Sequence, residues 1–319
     1  MVPLSHLLSG FLVGRFIRAR HPRKQQNLHA WKDPIILVAL AGSVVPDLDV
    51  IPGLLGVWPG SAFHRTATHS LLGSFILAGC LGGLAYAVFR RMESFKWLYL
   101  AALFGVWTHI GWDVLNTWGV SLFWPASIPT EGNLVHEGDF FVLASLVVCV
   151  VCSLTLRNRT ALIVTLTVFP LYLLLSLAWQ QQIARGIETR AGSDTSVFAT
   201  RIPWCRWLVL SKGEEVLHAD CVQVPLTTRM KRIKSVQVND EPFVQASLGG
   251  DMVNEFRESV WYPFADVRPL DNGEVLVVWR DLRETFMDDD VDAGPGIHVR
   301  LNADGEILEE VHKWRLPFW

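Results

Sequence analysis

The scarcity of charge in residues 34–180 restricts the possible folds of this chain more than any other feature. The stretch carries six Lys/Arg and seven Asp/Glu, whereas residues 181–319 carry sixteen and twenty-three. So long a stretch with so few charges is too apolar for a soluble domain and is typical of membrane-spanning helices. We therefore expect a multi-pass α-helical membrane bundle at 1–180, followed by a β-rich soluble domain at 181–319.

Basic residues mark one side of the predicted membrane domain. The first apolar segment, Val2 to Ile17, differs from a signal peptide because its basic residues follow the apolar run. We expect it to be a retained helix. Basic residues then occur within 15–32, 90–96 and 157–159. These regions share one side if the chain crosses six times, and the positive-inside rule makes that side cytoplasmic.

Further apolar segments define the predicted spans. After 34–45, they lie at approximately 70–89, 97–117, 140–156 and 161–179. Six crossings place the C-terminal domain outside the cytoplasm of a bacterial inner (cytoplasmic) membrane, with the lipid bilayer as a partner. No basic face or nucleic-acid motif occurs, so we expect no nucleic-acid partner. The sequence leaves the oligomeric state open.

The C-terminal half alternates apolar runs with turn signals. Strand-like runs at 206–210 and 274–279 are accompanied by the turn sequences Asp271-Asn-Gly273 and Asn302-Ala-Asp-Gly305. This pattern predicts an antiparallel β domain. Cys205 and Cys221 lie in flanking strand-like runs, and an oxidising compartment would allow a disulfide between them. The sequence leaves open whether they are bridged.

Unusual polar residues in the N-terminal half all fall at the outer ends of the predicted spans. They are His6, Asp47, Asp49, His64, His69, His109, Asp113, His136 and Asp139. Ionisable residues in membrane segments are costly and usually mark a functional site. Because these residues share one face of the membrane, they can belong to one site.

Their spacing indicates a metal site. His109 and Asp113 are four residues apart and share a helix face, while Asp47 and Asp49 point the same way if the chain there is extended. His69 can face the same centre as His64 if Thr68 caps the following helix. The candidate ligands are Asp47, Asp49, His64, His69, His109 and Asp113. This set suits zinc, with manganese or iron as alternatives, and its size favours two ions bridged by a carboxylate over one ion.

Such a centre predicts hydrolytic chemistry. A bound divalent ion lowers the pKa of water to about 7, which favours hydrolysis at neutral pH. We take Arg65 and Asp49 as the catalytic candidates, with Arg65 as a bidentate donor to a phosphate or a developing oxyanion. A site at the outer membrane boundary favours a lipid-like substrate with an ester or phosphoester bond.

The ordered motifs resemble those of a known family. They are His6, Pro46-Asp-Leu-Asp49, His64-Arg-Thr-Ala-Thr-His-Ser70 and His109-x-x-x-Asp113 followed by Asn116-Thr117 and Gly119. Together they resemble the predicted membrane-bound metal-dependent hydrolases, which include LexA-regulated inner-membrane members and longer forms with a C-terminal domain. The resemblance covers roughly residues 1–180. It implies the six metal ligands named above, with His6 as an addition.

Other interpretations of these residues remain. The same His/Asp cluster could be the transit site of a metal-ion or solute transporter, but the inner halves of the predicted spans look nearly free of polar groups, which favours an enzyme. A structural protein with a bound metal is a third possibility. The cluster could also be a polar network that braces helices, Arg65 could extend to lipid headgroups, and His136 and Asp139 could shape a loop or cap a helix.

Overall fold

The computed structural model divides the chain into two compact units. The first comprises Met1–Trp179 and Ala199–Pro203, and the second comprises Gln180–Phe198 and Trp204–Trp319. The structure describes residues 3–22, 30–51, 64–126, 128, 130–136, 138–155, 158–188, 194–200, 205, 207–212, 216–222, 230–237, 241–260, 262–285 and 296–313. Glu137 and Arg157, which belong to the predicted connectors, lie outside these ranges.

The first unit is helical, as predicted. Its helices are α1 (Pro3–Arg20), α2 (Pro34–Gly42), α3 (Leu71–Phe89), α4 (Phe95–Leu115), α5 (Phe140–Thr155) and the part of α6 (Asn158–Glu188) up to Trp179, and short 3₁₀ helices occur at Ala30–Lys32, Val45–Val50 and Ala67–His69. Within the described residues, α3 and α4 are long and apolar enough to cross a membrane, and α5 is a shorter apolar helix. The six-span topology stays a prediction.

Helix α2 departs most from its predicted form. It has nine residues, which extend about 13.5 Å, less than half of a hydrocarbon core about 30 Å thick. It begins where Pro34 occupies the first helical position and the Asp33 carboxylate accepts the Ile35 N–H at 3.0 Å. It ends at Gly42, and the chain continues after Val44 as the 3₁₀ helix Val45–Val50.

Glycines bring α2 close to α4. A Cβ atom on Gly105 would collide with the backbone of α2 at Ala39, and one on Gly42 would collide with the backbone of α4 at Ala102. Small residues allow two helix backbones to approach in this way. The close contact places the C-terminal end of α2, where Ser43 lies, beside the second half of α4.

A buried charge network lies at the opposite end of α1, α2 and α4. The Arg18 guanidinium pairs with Asp33 at 2.9 Å and with Glu93 at 3.0 Å, and His21 Nε2 lies 3.0 Å from Glu93. Its members Arg18, Asp33 and Glu93 lie just outside the predicted spans, so the expectation that the inner halves of those spans are nearly free of polar groups stays a prediction. Sequence patterns missed the network because Glu93 is far from Arg18 along the chain and is the one acidic residue of a basic connector.

An apolar layer separates this network from the other end of the helices. Its buried members come from α1 to α4 and are Ile17, Ile35, Val38, Ala39, Ala78, Ala85, Leu98, Ala101, Ala102 and Leu103. Along α4, the segment from Leu98 to Leu103 lies between Glu93 and His109. The polar groups at the two ends are thus divided by packed side chains.

The second unit contains two four-stranded sheets. The first has the order β1 (Asp194–Ala199), β2 (Trp207–Lys212), β3 (Val216–Val222), β4 (Met230–Gln237), and the second β5 (Pro263–Pro269), β6 (Val275–Asp281), β7 (Gly296–Leu301), β8 (Ile307–Lys313). The pairings from β2 to β4 and from β5 to β8 are antiparallel. The predicted antiparallel β-rich C-terminal region is confirmed.

Turn residues connect the strands where the sequence predicted them. Gly273 and Gly305 have φ angles of 83° and 84°, a region that glycine enters without steric cost. Cys205 and Cys221 form a disulfide with a Cα–Cα distance of 5.4 Å, which answers the question that the sequence left open.

Three helices of the second unit were not predicted. They are α7 (Pro242–Ser247), α8 (Asp251–Ser259) and α9 (Leu282–Thr285). Val244 of α7 and Val253 of α8 are buried against Val277 and Trp279 of β6. Helices α7 and α8 therefore cover one face of the second sheet.

Candidate metal centre

Helix α4 supplies two side chains of the candidate centre. His109 and Asp113 are fully buried and one helical turn apart, and His109 Nε2 lies 3.1 Å from Asp113 Oδ2. The four-residue spacing predicted this shared face. The His109 Nδ1 atom lies 2.9 Å from the Ser43 carbonyl oxygen. Because a carbonyl can only accept a hydrogen bond, Nδ1 carries the hydrogen. Nε2 then faces the centre, where its lone pair can bind a metal ion.

His69 reaches the centre from the 3₁₀ turn before α3. Its Nε2 atom lies 3.1 Å from His109 Nε2 and 3.4 Å from Asp113 Oδ2. The residue that caps the helix is Ser70 and not Thr68, because Ser70 accepts the Gly73 N–H at 2.9 Å. The hydroxyl of Thr68 instead donates to the Asp49 carboxylate.

Asp47 and Asp49 face different atoms of His69. Both lie in the 3₁₀ helix Val45–Val50, so the extended chain that would point them the same way is not the conformation of this segment. Residues two apart in a 3₁₀ helix project about 120° away from each other. Asp47 Oδ1 therefore lies 3.4 Å from His69 Nε2, whereas Asp49 Oδ2 lies 3.5 Å from His69 Nδ1.

Four donor atoms have separations that suit one metal ion. One ligand atom from each of Asp47, His69, His109 and Asp113 lies within 4.8 Å of the others. Ligands about 2.1 Å from a tetrahedral ion lie about 3.4 Å from each other. Five of the six separations measure 3.1–3.4 Å. Two imidazole nitrogens and two carboxylate oxygens form a donor set that zinc, manganese or iron accepts.

Asp49 and His64 form a second group with His69. His64 Nδ1 lies 2.7 Å from Asp49 Oδ1, which is hydrogen-bond distance. The two groups share His69 through its two ring nitrogens. His69 is the residue that the two groups have in common, and a carboxylate bridge between two ions stays a prediction.

His6 adds a third imidazole to the centre. Its ring stacks on His109 with centroids 3.9 Å apart, and its Nε2 atom lies 3.9 Å from Asp113 Oδ1. His6 is 1% exposed, and neither ring nitrogen has a hydrogen-bond partner among the residues that the structure describes. A buried polar atom without a partner costs about 1–3 kcal/mol. This arrangement fits a site that receives a further group.

A family comparison matches the half of the chain that contains these residues. A family model described as YdjM inner membrane protein matches residues 1–183. The chain belongs to the YdjM inner membrane protein family. The family resemblance inferred from the motifs is thereby confirmed. No curated protein and no solved structure matches the chain.

The family match contains every residue of both groups. It covers the chain from residue 1 through most of α6 and ends before the first strand, β1. Membership supports an inner-membrane location. Membership does not identify a metal or a reaction, and both are therefore matters for proposal.

The remaining predicted site residues differ in their relation to the centre. The positive charge of Arg65 interacts with Asp113, and the Arg65 carbonyl accepts the Ser121 N–H at 2.9 Å. Asp139 instead caps α5 by accepting the Phe141 N–H at 2.9 Å, and the Tyr172 hydroxyl donates to it at 2.8 Å. Asp139 therefore has the capping role that we considered, and neither it nor His136 belongs to a metal-binding group.

Burial and hydrogen bonds have opposite effects on the proton affinities of His69 and Asp49. Burial alone would lower the pKa of His69, but hydrogen bonds to Asp113, Asp47 and Asp49 raise that pKa to about 10. Burial alone would raise the pKa of Asp49, but hydrogen bonds from His64 and His69 hold it well below its usual range. The metal-free centre thus favours protonated histidine beside ionised carboxylates.

Proposed function

We propose that this member of the YdjM family is an integral membrane metal-dependent hydrolase. Its substrate would be a lipid-like molecule with an ester or phosphoester bond at the outer face of the membrane. The observation that carries the proposal is the convergence of Asp47, His69, His109 and Asp113 at separations suited to one tetrahedral ion. When bound, a divalent ion acts as a Lewis acid and lowers the pKa of water to about 7.

The four donors would hold zinc, or manganese or iron in its place. His69, His109 and Asp113 are at most 1% exposed at the side chain, whereas Asp47 is 31% exposed. The open side of the centre therefore lies at Asp47, and substrate would approach there. Arg65, whose charge already acts on Asp113, would supply a planar donor to a phosphate or to developing negative charge.

The second group would position His69. Asp49 lies beside His69 Nδ1 and is itself held by His64 and Thr68. A carboxylate behind a ligating imidazole fixes the orientation and tautomer of the ring. In this interpretation Asp49 supports the reaction through His69, and a single ion in the first group is sufficient.

The apolar layer favours hydrolysis over transport. A transit path needs polar groups that continue from the centre toward the other end of the helices. The charge network around Arg18 is polar, but the residues from Leu98 to Leu103 and their neighbours separate it from His109. Among the residues that the structure describes, the buried members of this layer are all apolar, so a polar pathway would have to bypass them.

Hydrolysis of lipid substrates tests this proposal. We would assay purified protein in nanodiscs that contain phospholipids and lipid-linked phosphoesters, after stripping and after repletion with zinc, manganese or iron. The proposal expects metal-dependent release of product by wild type and loss of this activity in Asp47→Asn. The control His136→Ala should retain it. Equal activity in the stripped, repleted and Asp47→Asn proteins would refute a metal-dependent reaction at this centre.

A further inference from the structure

The loop between α4 and α5 contains a long uncharged stretch. No Asp, Glu, Lys, Arg or His occurs from Val114 to Thr130. Loops exposed to water are normally rich in polar and charged residues, because large apolar side chains are costly in water. The composition therefore resembles a membrane-facing surface although the segment lies outside the helices.

The same loop has a defined backbone with an apolar tip. Val120 and Thr130 exchange both backbone hydrogen bonds, at 3.0 and 2.9 Å, and so close a hairpin-like turn. Between them, Phe123, Trp124 and Ile128 are 53%, 40% and 57% exposed. The large side chains of the tip project outward instead of filling a core.

Two backbone hydrogen bonds attach this loop to the segment of the candidate metal centre. The Ser121 N–H donates to the Arg65 carbonyl at 2.9 Å, and the Leu71 N–H donates to the Leu122 carbonyl at 3.0 Å. Leu122 packs against the buried cluster that contains Val106 and Ile110 of α4. The loop is thus fixed beside the residues that lead into α3.

The exposed tip begins beside the start of α3, because the Leu71 N–H donates to the carbonyl of Leu122, the residue before Phe123. Leu71, Leu72, Phe75 and Ile76 are exposed in the first turns of that helix, which is long and apolar enough to cross a membrane. In an inner-membrane family, lipid is the partner that covers such a surface. The rim of an interface with a soluble protein is typically polar and exposed to solvent, whereas no charged residue occurs from 114 to 130. Tryptophan and other aromatic residues are enriched at the membrane interface.

We propose that the loop tip formed by Phe123, Trp124 and Ile128 inserts into the lipid beside the start of α3. It would hold the segment with His64, Arg65 and His69 at the membrane boundary. The partner is a lipid surface. This inference does not depend on hydrolysis, since it concerns only where the loop lies.

Spin-label depth measurements test the proposal. The three cysteines outside the disulfide, Cys80, Cys149 and Cys152, would be replaced by alanine, with the Cys205–Cys221 disulfide kept. A nitroxide at Phe123→Cys, and in a second variant at Ile128→Cys, would be measured in liposomes by its collisions with oxygen and with a polar nickel chelate. Leu72→Cys on α3 is the control expected in lipid, and Leu308→Cys on β8 is the control expected in water.

The proposal expects an oxygen-to-nickel collision ratio several-fold above that of position 308 at both loop positions, similar to position 72. A ratio similar to that of position 308 would show that the tip lies in water and would overturn the proposal. Low accessibility to both reagents would show that protein covers the tip and would overturn it equally. The second loop variant decides the result if the first fails to fold.

Discussion

Removal of the Asp49 carboxylate should weaken metal binding without removing the metal site. Asp49 Oδ2 lies 3.5 Å from His69 Nδ1, on the side of the ring opposite Nε2, which faces the four-donor group. Loss of a group that orients a ligand typically lowers metal affinity 10–100-fold, which corresponds to about 1.4–2.7 kcal/mol. We therefore expect Asp49→Ala to bind the same number of ions as wild type with 10–100-fold lower affinity.

Competition with a chelator of known affinity measures this effect. Protein in detergent would be titrated with the chelator, and bound metal would be counted by elemental analysis after desalting. Asp49→Asn is the matched control, because its amide oxygen can still accept a hydrogen bond from His69 and should weaken binding less. If Asp49→Ala bound fewer ions while the remaining ions kept wild-type affinity, Asp49 would be a ligand of a second ion and the positioning role would be refuted.

Three further predictions concern pH, helix packing and the charge network. The pKa of His69 is raised to about 10 in the metal-free protein, so below that pH a metal ion must displace a proton from His69 in order to bind. The affinity for metal should therefore rise with pH up to about 10. A metal affinity that does not change with pH in the chelator assay would contradict this. Gly105→Ala would collide with α2 at Ala39 and should lower the free energy of unfolding by about 1–3 kcal/mol. The control Gly111→Ala, also on α4, should not lower it, because a Cβ there meets nothing within 4 Å. Equal midpoints of the two variants in thermal unfolding would refute the close packing. Arg18→Ala would leave Asp33 buried without the Arg18 cation and Glu93 with only His21 beside it in this network. It should cost about 3–5 kcal/mol with unchanged metal stoichiometry, and a variant that melts at the wild-type temperature would show that the network is not stabilising.

Local periodicity predicted part of the centre correctly. His109 and Asp113 share a face because helix geometry places residues four apart on the same side of α4. Their spacing in the sequence was therefore enough to predict that they lie together. The turns at Gly273 and Gly305 could also be predicted from local sequence, because positive φ angles favour glycine.

Contacts between segments that are distant along the chain could not be predicted from the sequence. The Ser43 carbonyl orients His109, yet a backbone carbonyl has no signature in the residue type. Asp47 and Asp49 diverge because the proline-flanked segment forms a 3₁₀ helix, where an extended chain was equally compatible with the sequence. The network of Arg18 with Glu93 depends on which helix ends meet.

Short segments account for the other differences. Thr68 and Ser70 are both good capping residues, and the choice of Ser70 depends on the separate 3₁₀ turn at Ala67–His69. In the second unit, α7 and α8 have six and nine residues. Helices of this length gain most of their stability from packing against a sheet rather than from their own sequence.

Metal content tests the central claim most directly. Purified wild type, repleted with zinc, manganese or iron and then desalted, would be compared by elemental analysis with His69→Ala, Asp113→Ala and the control His136→Ala. We expect about one equivalent of a transition metal in wild type and in the control, because a single four-donor group holds one ion, and none in the two ligand variants. A wild-type protein that stays metal-free after repletion, or ligand variants that keep the wild-type metal content, would contradict a metal centre at these residues.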